Sequence, residues 1–192
     1  QRQMCIRDRC PFKDGYVSGI RMTMEQAPEY VYAIRELGKE YASDIKLYVG
    51  FEAEYIPEFF KEQKAMFDRL GCDYMIMGQH FMKSEQTGPY TGTPTDDESR
   101  IREYVDIVIE GMKTGMYSYL AHPDLINYQG LDSVYEWEMT RMCKALKELN
   151  IPLEINMLGI SAGKHYPTER FWCIPHDIGN CLLYTSPSPR DY

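Results

Sequence analysis

Three side chains that could bind a metal ion each stand at the end of a short apolar run. Glu52 lies in the sequence Gly-Phe-Glu-Ala-Glu-Tyr, His80 in Gly-Gln-His-Phe, and His122 in Ala-His-Pro-Asp. Carboxylate and imidazole groups together suit Zn, Fe or Mn, and an open coordination position on such an ion activates water. The sequence therefore predicts a metal-dependent hydrolase with Glu52, His80 and His122 as metal ligands.

Helical patterns separate these apolar runs. Short apolar runs predict strands, and apolar residues at helical spacing predict helices between them. Strands that alternate with helices predict an α/β fold with a parallel sheet, and the ends of such strands meet at one mouth of a barrel. The predicted strands are 45–51, 74–77, 116–121 and 151–156; the predicted helices are 24–41, 58–70, 99–113, 133–149 and 167–178.

The segment 82–97 is rich in Gly, Thr, Pro and Asp, which predicts a loop. A loop of this length in a compact domain often serves as a lid over a functional site.

The composition limits the classes of partner. The net charge of −8 argues against nucleic acid and against an anionic membrane, because both would repel the chain. A phosphate ester remains possible, since bound divalent ions reverse the local field. No apolar run approaches the roughly 18 residues that span a bilayer. The six cysteines form no Cys-x-x-Cys pair, which predicts free thiols in a cytoplasmic protein.

The sequences of the two ends predict that these segments are translated adaptor DNA and not part of the fold. Residues 1–9 and 181–192 can be encoded by DNA stretches that contain reverse complements of each other, as translated transposon-type sequencing adaptors would. The alternatives are a basic N-terminal tail and a disordered Ser-Pro linker. We expect both ends to be unpacked and without long-range hydrogen bonds, and the folded part to be residues 10–180.

Several ordered motifs resemble a known family. The chain resembles the polymerase and histidinol phosphatase (PHP) superfamily and, within it, the histidinol-phosphate phosphatases. The resemblance covers nearly all of residues 10–180 and implies a partial PHP metallophosphatase domain. Its motifs are Arg21-Met22-Thr23-Met24, Gly50-Phe51-Glu52-Ala53-Glu54-Tyr55, Gly78-Gln79-His80-Phe81, Ala121-His122-Pro123-Asp124, Leu153-Glu154-Ile155-Asn156 and His165-Tyr166-Pro167.

The resemblance implies an incomplete distorted (β/α)7 TIM-like barrel with parallel strands, lacking the first and last strands. It implies a trinuclear cluster of divalent ions (Zn, Fe or Mn) in the full-length family, with Glu52, His80 and His122 among the ligands. The implied reaction is hydrolysis of L-histidinol phosphate to L-histidinol and phosphate in histidine biosynthesis. Divalent ions would neutralise the charge that develops on the phosphoryl oxygens.

Three motifs of the resembled family are absent from this chain: an opening His-x-His strand, an Asp-His pair and a closing Asp-x-His strand. By resemblance the chain holds about half of the cluster's ligands. We therefore expect the chain as it stands to be inactive, and its open strand edges to make it poorly stable.

Four further residues are weaker candidates. Glu54 and Asp124 could orient a ligand imidazole or meet the cationic groups of histidinol, but each could equally be a cap or a surface residue. Asn156 could face the site or form a turn. The family often has a basic, phosphate-binding residue soon after this Asn, and Lys164 is the nearest substitute here.

Structural alternatives exist for the three ligands. Glu52 could belong to a buried ion pair, and His80 or His122 could be a hydrogen-bonded core histidine. His122 precedes proline, which favours an extended conformation. His165 and His176 match no ligand motif, and we expect them at surface or helix positions.

Two other functions remain open. The chain could be a PHP phosphoesterase that acts on a different small phosphate or a nucleotide, or a non-catalytic relative. The loop 83–97 and the motif at residues 21–24 favour the histidinol-phosphatase branch by resemblance. The oligomeric state and the identity of the metal remain open.

Overall fold

A computed structural model of the chain describes residues 9–185. Its elements in chain order are α1 (Gln26–Glu40), β1 (Gly50–Ala53), α2 (Pro57–Leu70), β2 (Tyr74–Met77), α3 (Glu98–Lys113), α4 (Asp132–Glu148), β3 (Leu153–Asn156), α5 (Met157–Ser161), α6 (Glu169–Ile178) and β4 (Leu182–Thr185). The expectations for residues 1–8 and 186–192 lie outside the described residues.

The predicted helices are confirmed, because α1, α2, α3, α4 and α6 begin and end within two residues of the predicted bounds. The strands are less regular. The predicted strand 45–51 is wrong in its first half, where Ile45 and Tyr48 are exposed, and β1 begins only at Gly50. The predicted strand 116–121 is reduced to isolated pairings at Leu120.

The chain forms two compact units, the first comprising Gln1–Ala53 and Pro57–Ile76. An aromatic cluster forms part of the core of this unit: the rings of Phe12 and Phe59 stack with centroids 4.6 Å apart. The guanidinium of Arg21 lies 3.7 Å from the centroid of the Phe12 ring and donates a 3.0 Å hydrogen bond to the Cys10 carbonyl. A buried cation is tolerated here because the aromatic face and the carbonyl replace part of its hydration.

Asp73 fixes the start of β1 in the first unit. Its carboxylate accepts a 2.7 Å hydrogen bond from Val49 N–H, and its own N–H donates to the Val49 carbonyl at 2.8 Å. The Arg35 guanidinium bonds both carboxylate oxygens of Asp73, and these bonds hold the pKa of Asp73 below its usual value. Gly50 is needed because a Cβ there would collide with the Tyr74 carbonyl oxygen.

The second unit comprises Glu54–Ile56 and Met77–Tyr192. Parallel pairings connect Met77 with Leu120 and Leu120 with Leu153, and β3 pairs in parallel with β4. Leu120 and Leu153 are fully buried, and α4 packs against α3 and α6. The predicted α/β class with parallel strands is therefore confirmed.

Strand β4 contradicts the expectation that residues 181–192 make no long-range hydrogen bonds. β4 pairs with β3 from Leu153↔Leu182 to Asn156↔Thr185, and the Cys181 carbonyl accepts a 2.9 Å bond from Leu153 N–H. The expectation is wrong here because a strand edge offers unpaired backbone groups to any extended segment. Tyr184 is nonetheless 75% exposed, so β4 adds backbone hydrogen bonds with little apolar burial.

Near the N-terminal end, Arg9 also makes a long-range backbone contact. This residue forms a parallel bridge with Glu52, and the next N–H, that of Cys10, donates to the Glu52 carbonyl at 2.8 Å. The expectation of an unpacked end is therefore wrong at Arg9. The proposed boundaries at residues 9 and 180 stay a prediction.

The loop predicted at 82–97 is present between β2 and α3. Its backbone is fixed at two points: Thr91 N–H donates to the His80 carbonyl at 2.8 Å, and Thr95 N–H donates to the Asn127 carbonyl at 3.0 Å. The role of this loop as a lid stays a prediction. Within residues 9–185, no helix combines the length and apolarity that crossing a membrane requires.

We expect the substitution Tyr104→Phe to lower the free energy of unfolding by about 1–3 kcal/mol. Tyr104 is fully buried, and its hydroxyl donates a 2.8 Å hydrogen bond to the carbonyl of Pro123, next to His122. The variant leaves that buried carbonyl without this donor. Urea unfolding measures the change, with Tyr32→Phe on the exposed face of α1 as the control. Equal stability of the two variants would contradict the structural role of the hydroxyl.

Candidate metal centre

The segment that carries His80 is held by the buried side chain of Gln79. The amide oxygen of Gln79 accepts from Tyr55 N–H at 3.0 Å, and its nitrogen donates to the carbonyls of Tyr55 and Phe81 at 3.1 and 2.8 Å. One buried amide thus connects the end of β2 to residues 54–56. Sequence reasoning quoted Gln79 in a motif but gave it no role.

Glu54 orients the imidazole of His80. Its Oε1 lies 3.2 Å from His80 Nδ1, and both side chains are buried, with Glu54 only 1% exposed. A carboxylate can only accept, so this geometry places the proton on Nδ1 and makes Nε2 the ring atom suited to a cation. Carboxylate–histidine pairs of this kind fix the ring and raise its basicity as a ligand. The structure supports the orienting alternative for Glu54.

His122 lies close to His80. The two ring centroids are 4.8 Å apart at an interplanar angle of 63°, and both residues are buried. A nitrogen of the His80 ring lies within 4.8 Å of a nitrogen of the His122 ring. Because metal–nitrogen bonds are about 2.0–2.1 Å long, nitrogens at the upper end of this range suit two neighbouring ions, and nitrogens about 4 Å apart or less can share one ion.

The backbone of His122 is not extended as predicted, because its φ is +32°. Two hydrogen bonds override the bias that the following proline imposes. His122 N–H donates to the Glu154 carboxylate at 3.0 Å, and its carbonyl accepts from Leu125 N–H at 2.9 Å. A non-glycine residue with positive φ costs about 1–3 kcal/mol and occurs often at functional sites.

Glu154 is the main site residue that sequence reasoning missed. It is buried in β3, and its Oε2 accepts both from His122 N–H and from the Asn156 side-chain amide at 3.3 Å. A carboxylate inside an apolar strand requires partners. That signal was present in the run Leu-Glu-Ile-Asn and could have found Glu154, as it found Glu52.

Asn156 makes two side-chain hydrogen bonds at the junction of β3 and α5. Its Oδ1 caps α5 by accepting from Gly159 N–H at 3.0 Å, while its amide donates to Glu154. The residue therefore links the start of α5 to the carboxylate that holds the His122 backbone.

Asp124 anchors the start of α6. Its Oδ2 accepts a 2.7 Å hydrogen bond from Thr168 N–H, and the hydroxyl of Thr168 in turn caps α6 by accepting from Phe171 N–H. Burial raises the pKa of Asp124, and the bond from Thr168 opposes the shift. The structure supports a capping role for this carboxylate.

The remaining basic side chains differ in their exposure to solvent. The Lys164 side chain is exposed. His176 is 83% exposed, so its predicted surface position is confirmed. His165 is half-buried in a loop, and its Nε2 donates to the Leu125 carbonyl at 2.8 Å. Its ring contacts that of Tyr166, whose centroid lies 5.7 Å from that of His122.

Glu52 lies in β1 of the first unit and is half-buried. His80 and His122 are the two imidazoles of the candidate metal-binding group, and Glu52 stays the carboxylate ligand that the sequence predicts. The donor set fits a divalent ion such as Zn, Fe or Mn, because neutral imidazoles and a carboxylate are the ligands that these ions accept. The orientation of His80 by Glu54 is a further feature that such a site requires.

Comparison with known proteins gives a family and a curated relative. The PHP domain family matches residues 1–157. A protein named "Probable histidinol-phosphatase" from Deinococcus radiodurans is 28% identical over 131 residues, which is 64% of this chain and 48% of that protein. The chain thus spans about half the length of this curated relative.

Two solved structures share the fold. A provisionally assigned histidinol phosphatase from Listeria monocytogenes superposes with a TM-score of 0.72 at 16% identity, covering 93% of this chain and 80% of the other. A histidinol phosphate phosphatase from Lactococcus lactis, in complex with zinc, L-histidinol and phosphate, gives a TM-score of 0.64 at 20% identity, covering 93% and 74%.

We expect Glu54→Gln to weaken binding of Zn or Mn by about 10–100-fold, because the neutral amide no longer fixes the proton on His80 Nδ1. Competition with a chromophoric chelator measures the affinity. Glu103→Gln, on the exposed face of α3, is the control and should bind metal as the unchanged chain does. An unaltered affinity in the Glu54 variant would show that this carboxylate does not orient a ligand.

Proposed function

This chain belongs to the PHP domain family, and we propose that it acts in a metal-dependent phosphomonoester hydrolase. The proposed substrate is L-histidinol phosphate, and the products are L-histidinol and phosphate, as in histidine biosynthesis. The main observation that supports this proposal is the buried His80–His122 pair, with His80 oriented by Glu54. The names of the Deinococcus and Lactococcus proteins support this choice of substrate.

We propose an incomplete distorted (β/α)7 barrel as the detailed architecture. The parallel pairings from Met77 through Leu120 to β3 and β4 support this proposal. So does the position of His80 and His122, three and two residues after the pairing residues Met77 and Leu120, since parallel strands collect such residues at one end.

The proposed metal ligands are Glu52, His80 and His122, as part of a trinuclear cluster of divalent ions. Bound divalent ions would polarise the phosphoryl oxygens and activate water at neutral pH. The chain's own residues set the geometry: Glu54 holds the proton on His80 Nδ1, and Glu154 holds the backbone of His122.

The electrostatics of the second unit explain why a phosphate ester would need cations here. Glu54, Asp124 and Glu154 are all buried carboxylates, and without cations they would repel a phosphate. Divalent ions reverse the local field. Lys164 is exposed and remains a candidate for contact with the phosphate.

We propose that this reaction takes place in the cytoplasm, as cysteines without Cys-x-x-Cys pairing predict. We further propose that it involves no nucleic acid or anionic membrane, since the acidic chain would be repelled by both. We also propose that the ligands in this chain support only part of the cluster, so that the chain alone turns over no substrate. The activity test therefore needs this chain and the longest open reading frame that contains it.

We expect His80→Ala and His122→Ala each to weaken metal binding by at least the roughly 10–100-fold that loss of an orienting partner costs. The control is His176→Ala, which removes an imidazole from the surface. Metal content after dialysis and competition titration measure binding, and circular dichroism confirms the fold of each variant. Metal binding that depends on neither His80 nor His122 would refute the proposed ligands.

Phosphate release separates the candidate functions. With Zn or Mn, we expect the longest reading frame to hydrolyse L-histidinol phosphate with a kcat/KM about tenfold or more above that for glycerol phosphate or a nucleoside monophosphate. A chelator should abolish turnover, and added metal should restore it. A preference for the nucleotide would favour another PHP phosphoesterase. No turnover of any ester despite bound metal would favour a non-catalytic relative.

A further inference from the structure

A cavity of about 180 Å³ lies in the second unit. Its walls come from the loop after His122, the first turns of α4 and the segment that enters α6. The residues that decide its chemistry are Asp124, Tyr128, Tyr135, His165, Thr168 and Arg170. We call it the Asp124 cavity.

Two buried polar atoms in the walls of the Asp124 cavity lack a protein partner. Asp124 is 2% exposed; Thr168 occupies its Oδ2, and its Oδ1 has no hydrogen-bond partner among residues 9–185. Tyr128 is 3% exposed, and its hydroxyl has none within the same part of the chain. Such groups cost about 1–3 kcal/mol each when left unsatisfied, so the cavity is suited to a ligand that satisfies them.

The cation in the wall, Arg170, already has protein partners. The Arg170 guanidinium forms a 2.6 Å ion pair with Asp132, donates to the Tyr128 carbonyl at 3.2 Å and lies 3.8 Å from the centroid of the Tyr135 ring. The carboxylate of Asp124 has no such ion pair within residues 9–185, so it is a charge in the wall that a cationic ligand can meet.

His165 adds acceptor character to the same wall. A backbone carbonyl can only accept, so the 2.8 Å bond to the Leu125 carbonyl requires a proton on Nε2 of His165. In the neutral ring Nδ1 is then an acceptor. Together with Asp124 Oδ1 and the Tyr128 hydroxyl, it makes the lining acceptor-rich, which suits a ligand with several donors.

We propose that the Asp124 cavity binds the ammonium group of a small organic amine. An ammonium group carries three donors and no acceptor, which matches this lining. Its hydrogen bond to a buried carboxylate is charge-assisted and stronger than a neutral one. A phosphate would instead meet the Asp124 charge. Where the proposed function holds, and resting on it, the ammonium group is the amino group of L-histidinol.

Calorimetric titration of the full chain, with a chelator present to remove metal, tests this proposal. The probes are L-histidinol, ethanolamine and 3-(imidazol-4-yl)propan-1-ol, which is histidinol without its amino group. We expect both amines to bind and the analogue without the amino group to bind about tenfold or more weakly, as loss of one charged hydrogen bond predicts.

Variants test whether the amines bind in the Asp124 cavity. Asp124→Asn keeps an oxygen for Thr168 N–H but presents an amide instead of a carboxylate, and we expect it to lose the preference for the amine. Tyr128→Phe removes one acceptor at less risk to the fold and should weaken both amines. Asp177→Asn makes the same chemical change on an exposed part of α6 and should bind as the unchanged chain does. Thermal unfolding checks that each variant is folded.

Two results would overturn the proposal: no binding of either amine by the unchanged chain, or equal binding by the folded Asp124 and Tyr128 variants. The phosphatase proposal can fail separately. If ethanolamine binds and depends on Asp124 while L-histidinol phosphate is not hydrolysed, the cavity stands and the substrate assignment fails.

Discussion

Glu54, Asp124 and Glu154 are almost fully buried in the second unit, and each carboxylate lies against a nitrogen of the protein. Glu54 is paired with the His80 ring, while Glu154 and Asp124 accept backbone N–H groups of His122 and Thr168. Burying a carboxylate is costly unless such partners are present. This constraint ties the two imidazoles and the start of α6 to fixed positions.

The same carboxylates determine which ligands the second unit can accept. Negative charge at low exposure favours cations, whether divalent ions beside the imidazoles or an ammonium group beside Asp124. A phosphate ester can approach only when bound ions reverse the field. The proposed metal dependence and the proposed substrate, which carries both an amino group and a phosphate, are thus consistent with one electrostatic arrangement.

The backbone of His122 adopts a strained conformation as part of this arrangement. Its φ of +32° is held by the Glu154 carboxylate and by the turn to Leu125. Asn156 extends the connection, because it bonds Glu154 and caps α5. Glu154 and Asn156, at the end of β3 and the start of α5, therefore support the backbone position of His122, as is common where a strained conformation serves a site.

The sequence by itself determined the helices and the α/β class, and it predicted His80 and His122 as metal ligands, because apolar spacing and residue chemistry are local properties. It did not determine the conformation of His122, the partner role of Glu154 or the pairing of β4 with β3. Those features depend on hydrogen bonds between residues far apart in the chain, such as His122 with Glu154, and no local pattern encodes which edge or carboxylate a segment will meet. Only the tertiary structure could decide them.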